Sequence, residues 1–330
     1  MKQAIWGWLS AVPCVVLLLV SMAAGAIDRE EVSVDREEVS VQTNDGVSIH
    51  VVHKFRSEGR RKAPVLLVHG TWGNSSLWDI PGRSVMNDLA ERGYDVYALD
   101  LRGMGQSDRP ANYATIGLLD RVRDVTAVAS YIVTTTGRRP VVMGHSQGGL
   151  LTGLLAVSSP YLVQGVGLFS IPADGFYVPP EFQSLFRSVV ASGVDRYLPD
   201  PSVLYAIAFG RDPVTGRPTI GTQAFGQFLA KTEPDSLRVI LEESSPDFFG
   251  AVIAPIWPTI TVPALVVDGA QDLTVGEARA RALYEALGSK QKDLVILPQN
   301  AHLWFLEDNF HATMRVFDAF LARVSDPSSE

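Results

Sequence analysis

Short apolar segments alternate with longer amphipathic segments along most of this chain, and the alternation limits the folds that it can adopt. The first apolar segments flank Asn44-Asp45-Gly46, a turn that is typical of a β-hairpin. Later ones, such as residues 65–68, are apolar at every position, which suits strands buried on both faces of a sheet. The segments between them have helical spacing, as in residues 118–135. Strands that alternate with helices predict an α/β fold with a mostly parallel sheet and helices on both faces.

The composition is that of a protein with a large buried core. Of 330 residues, 46% are hydrophobic and 19% are charged, which excludes a disordered chain. The 28 Lys and Arg residues against 36 Asp and Glu give a net charge of −8, which repels phosphate backbones, so we expect no nucleic-acid partner. The single cysteine, Cys14, excludes an internal disulfide and a cysteine metal site. We expect neither a metal nor another cofactor.

The first 26 residues have the pattern of a secretory signal peptide. Lys2 precedes an apolar run, and the run ends in Ala24-Gly25-Ala26, small residues of the kind that precede a cleavage site. We therefore expect a secreted or periplasmic protein. The alternative is an uncleaved N-terminal anchor, which would hold the exported domain on the membrane. Only in that case do we expect a membrane partner.

A duplicated heptad follows the signal peptide. Residues 28–34 read DREEVSV, and residues 35–41 repeat this sequence letter for letter. Two copies are too few for a solenoid. We interpret residues 27–38 as an exposed leader to the first strand and residues 325–330 as a C-terminal tail.

The predicted α/β core is interrupted once. Residues 39–171 and 259–324 hold the alternating strands and helices, whereas residues 172–258 contain no clear buried strand. The interruption has short helical patterns and many aromatic residues, and a structureless loop of that length does not fit a compact domain. We predict a helical cap insertion over one end of the sheet, with a second independent domain as the alternative.

The strongest chemical signal is Gly144-His145-Ser146-Gln147-Gly148-Gly149. It lies between a predicted strand at 140–143 and a predicted helix that starts near Leu150, and a strand, a G-x-S-x-G turn and a helix are typical of a nucleophile elbow. Such a turn exposes the Ser146 hydroxyl, and the glycines on either side relieve crowding. Ser146 is therefore the candidate nucleophile, beside the free N–H groups of a helix N-terminus.

A serine hydroxyl needs a base that removes its proton. His302 follows a predicted strand through a short loop and is the candidate, whereas His311 lies inside the last predicted helix. The imidazole in turn needs a carboxylate that fixes its tautomer. Asp272 stands on a turn just after another predicted strand and is the candidate, with Asp174 as the alternative.

The oxyanion of an acyl-transfer reaction needs two N–H donors. The amide of Gln147, directly after the nucleophile, is one candidate. The other should come from the loop after the strand at 65–68. We expect the amide of Thr71 there, or that of Trp72 if the loop is shifted by one residue.

These motifs resemble those of the α/β-hydrolase superfamily. The blocks that carry the resemblance are His69-Gly70-Thr71-Trp72 with Trp78, the stretch DLRGMGQSDRP at 100–110, Gly144 to Gly149, and Gly269-Ala270-Gln271-Asp272 with Asn300-Ala301-His302. The resemblance implies an α/β-hydrolase fold with about eight strands and a cap between the sixth and seventh, and the chain order Ser146, Asp272, His302 agrees with the family's order. A serine at position 146 argues against haloalkane dehalogenase and epoxide hydrolase chemistry, which use aspartate there.

From these motifs we predict an exported, lipase-like serine esterase with a cap, which forms an acyl-enzyme on Ser146. Lactonases and thioesterases with the same triad are alternatives, and a non-catalytic ligand-binding protein on this fold is an alternative from a different class. Trp72, Trp304, Trp78 and the cap aromatics are candidates for lining a pocket, which predicts a small, neutral, apolar ester or acyl substrate. Burial of the same residues in the core is the alternative.

Overall fold

The computed structural model of the protein describes residues 33–176, 188–189, 191–208 and 222–325. Its central element is one sheet of eight strands. Numbered in chain order, the strands are β1 Val34–Gln42, β2 Ser48–Arg56, β3 Pro64–Val68, β4 Asp95–Leu99, β5 Val141–His145, β6 Gly165–Phe169, β7 Ala264–Gly269 and β8 Lys292–Leu297. The longer helices are α1 Val85–Glu91, α2 Leu118–Thr136, α3 Gln147–Ser158, α4 Pro201–Ala208, α5 Thr222–Leu229, α6 Leu237–Ser244, α7 Glu277–Ala286 and α8 Phe310–Ser325.

The strands follow the order β1-β2-β4-β3-β5-β6-β7-β8 across the sheet. Strand β2 is antiparallel to β1 and to β4, and every other neighbouring pair is parallel. The carboxyl ends of β3 to β8 therefore lie at one edge of the sheet. This arrangement confirms the predicted α/β-hydrolase fold with its mostly parallel, eight-stranded sheet.

Strand β3 illustrates how the sheet is covered on both faces. Successive side chains of a strand point to opposite faces. Leu66 therefore enters one hydrophobic cluster, which it shares with Val125 of α2. Leu67 enters a second cluster, which it shares with Phe317 of α8. All five residues of the strand are buried, which explains why its sequence is apolar throughout rather than alternating.

Helix α2 shows how the sequence sets the ends and the buried face of an element. The Asp120 carboxylate accepts a hydrogen bond from the N–H of Gly117 at its start, and Gly137 ends it in the left-handed conformation with φ 69°. The buried residues recur at helical spacing, so one stripe faces the sheet. They are Leu118, Arg121, Asp124, Val125, Val128, Ala129 and Ile132.

The first strand begins at Val34 rather than at residue 39, which corrects the predicted end of the leader. Strand β1 includes residues 34–38 and so contains the whole second heptad copy, residues 35–41. Backbone pairing with β2 holds this strand in a register that runs from Val34 opposite Arg56 to Gln42 opposite Ser48. Residues 35–38 are charged and exposed, so no apolar pattern marked this first part of the strand.

Between β6 and β7, the described residues of the cap segment 172–258 are mainly helical. They form α4, α5 and α6, and then an irregular helical segment that ends at Thr259. A short ribbon pairs Arg196–Tyr197 with Asp235–Ser236. The remaining residues of the cap, the signal peptide at 1–26, the leader as far as residue 32 and the tail from residue 326 lie outside the described residues. In the part of the chain that is described, no helix is long and apolar enough to cross a bilayer.

Candidate active site

The candidate nucleophile lies on a strained turn between β5 and α3. Ser146 has φ 55° and ψ −124°, a conformation that side-chain-bearing residues rarely adopt. Its N–H donates to the carbonyl of Phe169 at the end of β6, at 2.8 Å. The turn is therefore fixed to the neighbouring strand, and Ser146 itself is 8% exposed.

The two glycines that flank this turn are required by close packing. A Cβ atom on Gly144 would lie 2.1 Å from the carbonyl oxygen of Gly148, and one on Gly148 would lie 2.2 Å from that of Val68. Neither position has room for a side chain. Glycine at both positions therefore allows helix α3 to begin directly against the ends of β3 and β5. It starts at Gln147, three residues before the predicted start near Leu150.

Three residues that are distant in the sequence meet at the carboxyl edge of the sheet. The Nε2 of His302 is 3.1 Å from the Oγ of Ser146, and its Nδ1 is 2.7 Å from Oδ2 of Asp272. Both partners of the imidazole are buried. A neutral His302 that donates from Nδ1 to Asp272 has its Nε2 lone pair free for the Ser146 hydroxyl.

Asp272 is held as a carboxylate by its neighbours. Burial favours its neutral form, but the His302 imidazole and the hydrogen bonds of Thr274 outweigh burial and hold the pKa of Asp272 below its usual value. The Oδ1 of Asp272 accepts from the Thr274 N–H and hydroxyl, both at 2.7 Å. Thr274 Oγ1 is also 2.8 Å from His302 Nδ1. Thr274 was not predicted, although an Asp followed two residues later by Thr is a recognisable Asx-turn pattern.

Hydrogen bonds to the backbone of His302 and between the neighbouring loops hold the histidine in position. The Gln271 N–H donates to the Asn300 carbonyl at 2.9 Å, so the loops after β7 and β8 are joined. The carbonyl of His302 accepts from Nε2 of His145 at 2.8 Å and from the Ser170 hydroxyl at 3.2 Å. Burial lowers the pKa of His145 to about 3, so its ring is neutral and its one N–H is used in this contact.

The alternative acid and base lie elsewhere. Asp174 forms an ion pair with Arg279 at 2.7 Å, and its side chain is 71% exposed. His311 lies on α8 with its side chain 76% exposed. Neither one is among the hydrogen-bond partners of Ser146 or His302 in the described part of the chain.

The two amides proposed for the oxyanion are free to act as donors. Among the described residues, neither the Thr71 N–H nor the Gln147 N–H has an acceptor. The Trp72 N–H, in contrast, donates to Oδ2 of Asp235 at 3.3 Å. The geometry thus favours Thr71 over Trp72 as the donor from the loop after β3.

The aromatic residues divide between the core and the site. Trp304 was a candidate for contact with substrate, but it is fully buried and packs edge-on to Phe169 at 5.5 Å between centroids, which corrects that expectation. Trp78 is also buried and lies against Phe305. Phe176 of the cap segment packs edge-on to the His302 ring at 6.3 Å, and Trp72 is half-buried. Apolar contacts with a substrate can therefore come from Phe176 but not from Trp304.

In the residues that the structure describes, no group of three or more His, Cys, Asp or Glu side chains could hold a metal ion.

Comparisons with known proteins agree with this architecture. A sequence model of the alpha/beta hydrolase family matches residues 65–316. An uncharacterized protein of Mycobacterium tuberculosis is 29% identical over 276 residues, and the match covers 77% of this chain and 74% of that protein. Caffeoylshikimate esterase of Arabidopsis thaliana is 26% identical over 261 residues, with 72% of this chain and 70% of that protein covered. Among solved structures, a hydrolase from Pseudomonas aeruginosa has a TM-score of 0.64 at 21% identity, covering 86% of this chain and 98% of that one.

A second buried carboxyl group lies beside the site. Asp268, at the end of β7, has no exposed surface, and its carboxyl group interacts with that of Asp272. Burial, and then the negative charge of Asp272, raise the pKa of Asp268 well above its usual value. These effects favour the neutral form of Asp268, and no sequence pattern indicated this.

The raised pKa makes Asp268 a source of pH-dependent instability. In the unfolded chain an aspartate ionises near pH 4. Above that pH, folding requires Asp268 either to take up a proton or to be buried as a charge. The free energy of unfolding therefore falls as the pH rises. We expect Asp268→Asn to gain about 1–2 kcal/mol in free energy of unfolding at pH 8 and little at pH 4. Urea unfolding at both pH values measures this, with the exposed residue of β1 in Asp35→Asn as the control. A variant that is less stable than wild type at pH 8 would contradict the assignment.

Proposed function

The chain belongs to the alpha/beta hydrolase family, and on that premise we propose that it is a serine hydrolase that cleaves carboxylic esters through an acyl-enzyme on Ser146. The observation that carries the proposal is the continuous contact from Ser146 Oγ through His302 to Asp272, at 3.1 and 2.7 Å. A hydroxyl, an imidazole and a carboxylate in that order form the unit that activates a serine nucleophile.

Acylation begins when Ser146 Oγ attacks the ester carbonyl and passes its proton to His302 Nε2. The imidazolium that forms is stabilised by the buried carboxylate of Asp272. The carbonyl oxygen becomes an oxyanion, and the amides of Thr71 and Gln147 donate to it. Collapse of the tetrahedral intermediate breaks the ester C–O bond, and His302 returns the proton to the departing alcohol.

Deacylation repeats these roles with water as the nucleophile. His302 takes a proton from the water as it attacks the acyl carbon, the same two amides stabilise the second oxyanion, and the proton returns to Ser146 as the carboxylic acid leaves. No cofactor takes part in either half. The apolar ring of Phe176 beside His302 favours a small, neutral, apolar acyl group.

Loss of the nucleophile tests the proposal directly. We expect wild type to be labelled covalently by a fluorophosphonate and to hydrolyse p-nitrophenyl esters. Ser146→Ala should abolish labelling and lower kcat by about 10⁴-fold or more, because no other group can form the acyl-enzyme. Intact-mass spectrometry and a series of esters of increasing acyl length measure both effects.

Ser130→Ala, which changes a serine of α2, is the matched control and should behave like wild type. Folded wild type that is neither labelled nor active would instead favour a ligand-binding protein. Turnover of lactones or thioesters offered in the same panel, without turnover of simple esters, would move the assignment to those substrates.

The identity of the acid can be tested by comparing two isosteric changes. Asp272→Asn removes the charge that stabilises imidazolium and allows the wrong tautomer of His302, so we expect kcat to fall about 10³- to 10⁴-fold. Asp174→Asn removes only an exposed ion pair with Arg279 and should retain most activity. Steady-state kinetics on one p-nitrophenyl ester decides between them, and the opposite ranking of the two variants would reassign the acid.

We further propose that the protein is exported and that its N-terminal segment is cleaved after Ala26. The support is the charged start, apolar run and Ala24-Gly25-Ala26 end of this segment. When the full chain is expressed in a bacterium with a C-terminal tag, the secreted or periplasmic product should begin at Ile27 by N-terminal sequencing. Ala26→Arg should block this cleavage. Recovery of a soluble cytoplasmic product that retains Met1 would argue against export, and a membrane-bound one would indicate an anchor.

A further inference from the structure

A carboxylate of the cap segment contacts both residues that supply the proposed oxyanion donors. Glu243, on α6, is buried. Its Oε1 accepts from the Thr71 hydroxyl at 2.8 Å, and its Oε2 accepts from Nε2 of Gln147 at 3.0 Å. The same Nε2 lies 3.1 Å from the Thr71 hydroxyl. The three side chains therefore form a closed triangle of hydrogen bonds.

This triangle joins two loops that follow different strands of the sheet. Thr71 follows β3 and Gln147 follows β5, and the separation between their backbone amides decides whether both can reach one oxyanion. Donors that act on a transition state must be held within about 0.5 Å of the productive geometry. A single carboxylate that accepts from both side chains fixes that separation.

A second carboxylate of the cap segment completes the contacts around Gln147 and the loop. Asp235 forms a buried ion pair with Arg121, and Arg121 Nη1 donates to Oε1 of Gln147 at 2.5 Å. The two ends of the Gln147 amide are thus oriented by Arg121 and by Glu243.

Residues of the cap segment also hold the backbone of the loop after β3, which carries the proposed oxyanion donor Thr71. Trp72 has φ 63°, which is unfavourable for a residue with a side chain. Its N–H donates to Asp235, and its carbonyl accepts from the Glu233 N–H at 3.0 Å. This conformation therefore depends on contacts with the cap.

The charges that face Glu243 are of both signs. Burial raises its pKa to about 7, and the negative charge of Asp235 adds to that effect, whereas the bonds from Gln147 and Thr71 and the charge of Arg121 oppose it. A group in this position is sensitive to any change that removes its donors or its charge.

We propose that Glu243 is a positioning residue of the oxyanion hole, which it holds in shape by bridging Thr71 and Gln147, so that the hole is complete only when the cap is seated on the core. The inference rests on the proposed function, since it assigns a role toward the oxyanion of an acyl-transfer reaction. Glu243 acts through these two residues and does not itself contact the reacting atoms.

The test uses Glu243→Gln in the full chain, with p-nitrophenyl butyrate as substrate and a trifluoromethyl ketone of matching length as transition-state analogue. We expect kcat per fluorophosphonate-titrated site to fall about 10- to 100-fold, less than for complete loss of a donor. KM should stay within about two-fold, because the ground-state ester makes little use of the hole. The affinity of the ketone should fall by a factor similar to that of kcat. Asp247→Asn, which changes an exposed acid of the same cap segment, is the control and should match wild type.

A double-mutant cycle separates positioning from a merely structural role. Thr71→Val removes the hydroxyl but keeps the backbone amide, so it should lower kcat in the same way and also tests the proposal if Glu243→Gln does not fold. If Glu243 acts through Thr71, the double variant should lose little more than the larger single loss. Multiplicative losses, or unchanged kcat and ketone affinity per titrated site in folded Glu243→Gln, would overturn the inference while leaving the proposed function intact. A wild type without any acyl-hydrolase activity would overturn both.

Discussion

The backbone turn at Ser146 is the constraint on which the arrangement of the site depends. A positive φ costs a residue with a Cβ atom about 1–3 kcal/mol, and the surrounding structure has to maintain it. The bond from the Ser146 N–H to the Phe169 carbonyl does so on one side, and the packing of α3 against β3 at Gly148 does so on the other. Folding thus sets the direction of the Ser146 side chain, and the hydroxyl meets His302 without rearrangement of the loop.

A parallel sheet explains how residues so far apart in the sequence come together. The loops that carry Thr71, Ser146, Asp272 and His302 each follow the carboxyl end of a parallel strand, and those ends share one edge. Hydrogen bonds between the loops then fix the distances between these side chains, which the sheet alone does not determine. The bond from Nε2 of His145 to the His302 carbonyl is an example, since it ties the base to the strand that presents the nucleophile.

Sequence patterns were informative where local physics dominates. The alternation of apolar and amphipathic segments predicted the fold, and the flanking glycines pointed to Ser146 because their requirement is local crowding. Patterns failed where tertiary contacts decide. Trp304 belongs to the core although it lies two residues from His302. It lies in a short helical turn, where the spacing of residues in the sequence does not predict which way a side chain points. Glu243 was not predicted either, because its partners lie in loops far away in the sequence.

The cap segment leaves the sheet after β6 and returns at β7, and these strands are neighbours, with Phe169 paired to Val267. An insertion whose two ends stand side by side can be lengthened or exchanged without disturbing strand pairing. Arg121 limits this evolutionary freedom, because the core carries the buried cation while the cap carries its counter-ion, Asp235. A foreign cap without an acid at that place would leave the cation unpaired, at a cost of about 3–5 kcal/mol. A replacement cap therefore has to place an acid opposite Arg121, whatever else in its sequence differs.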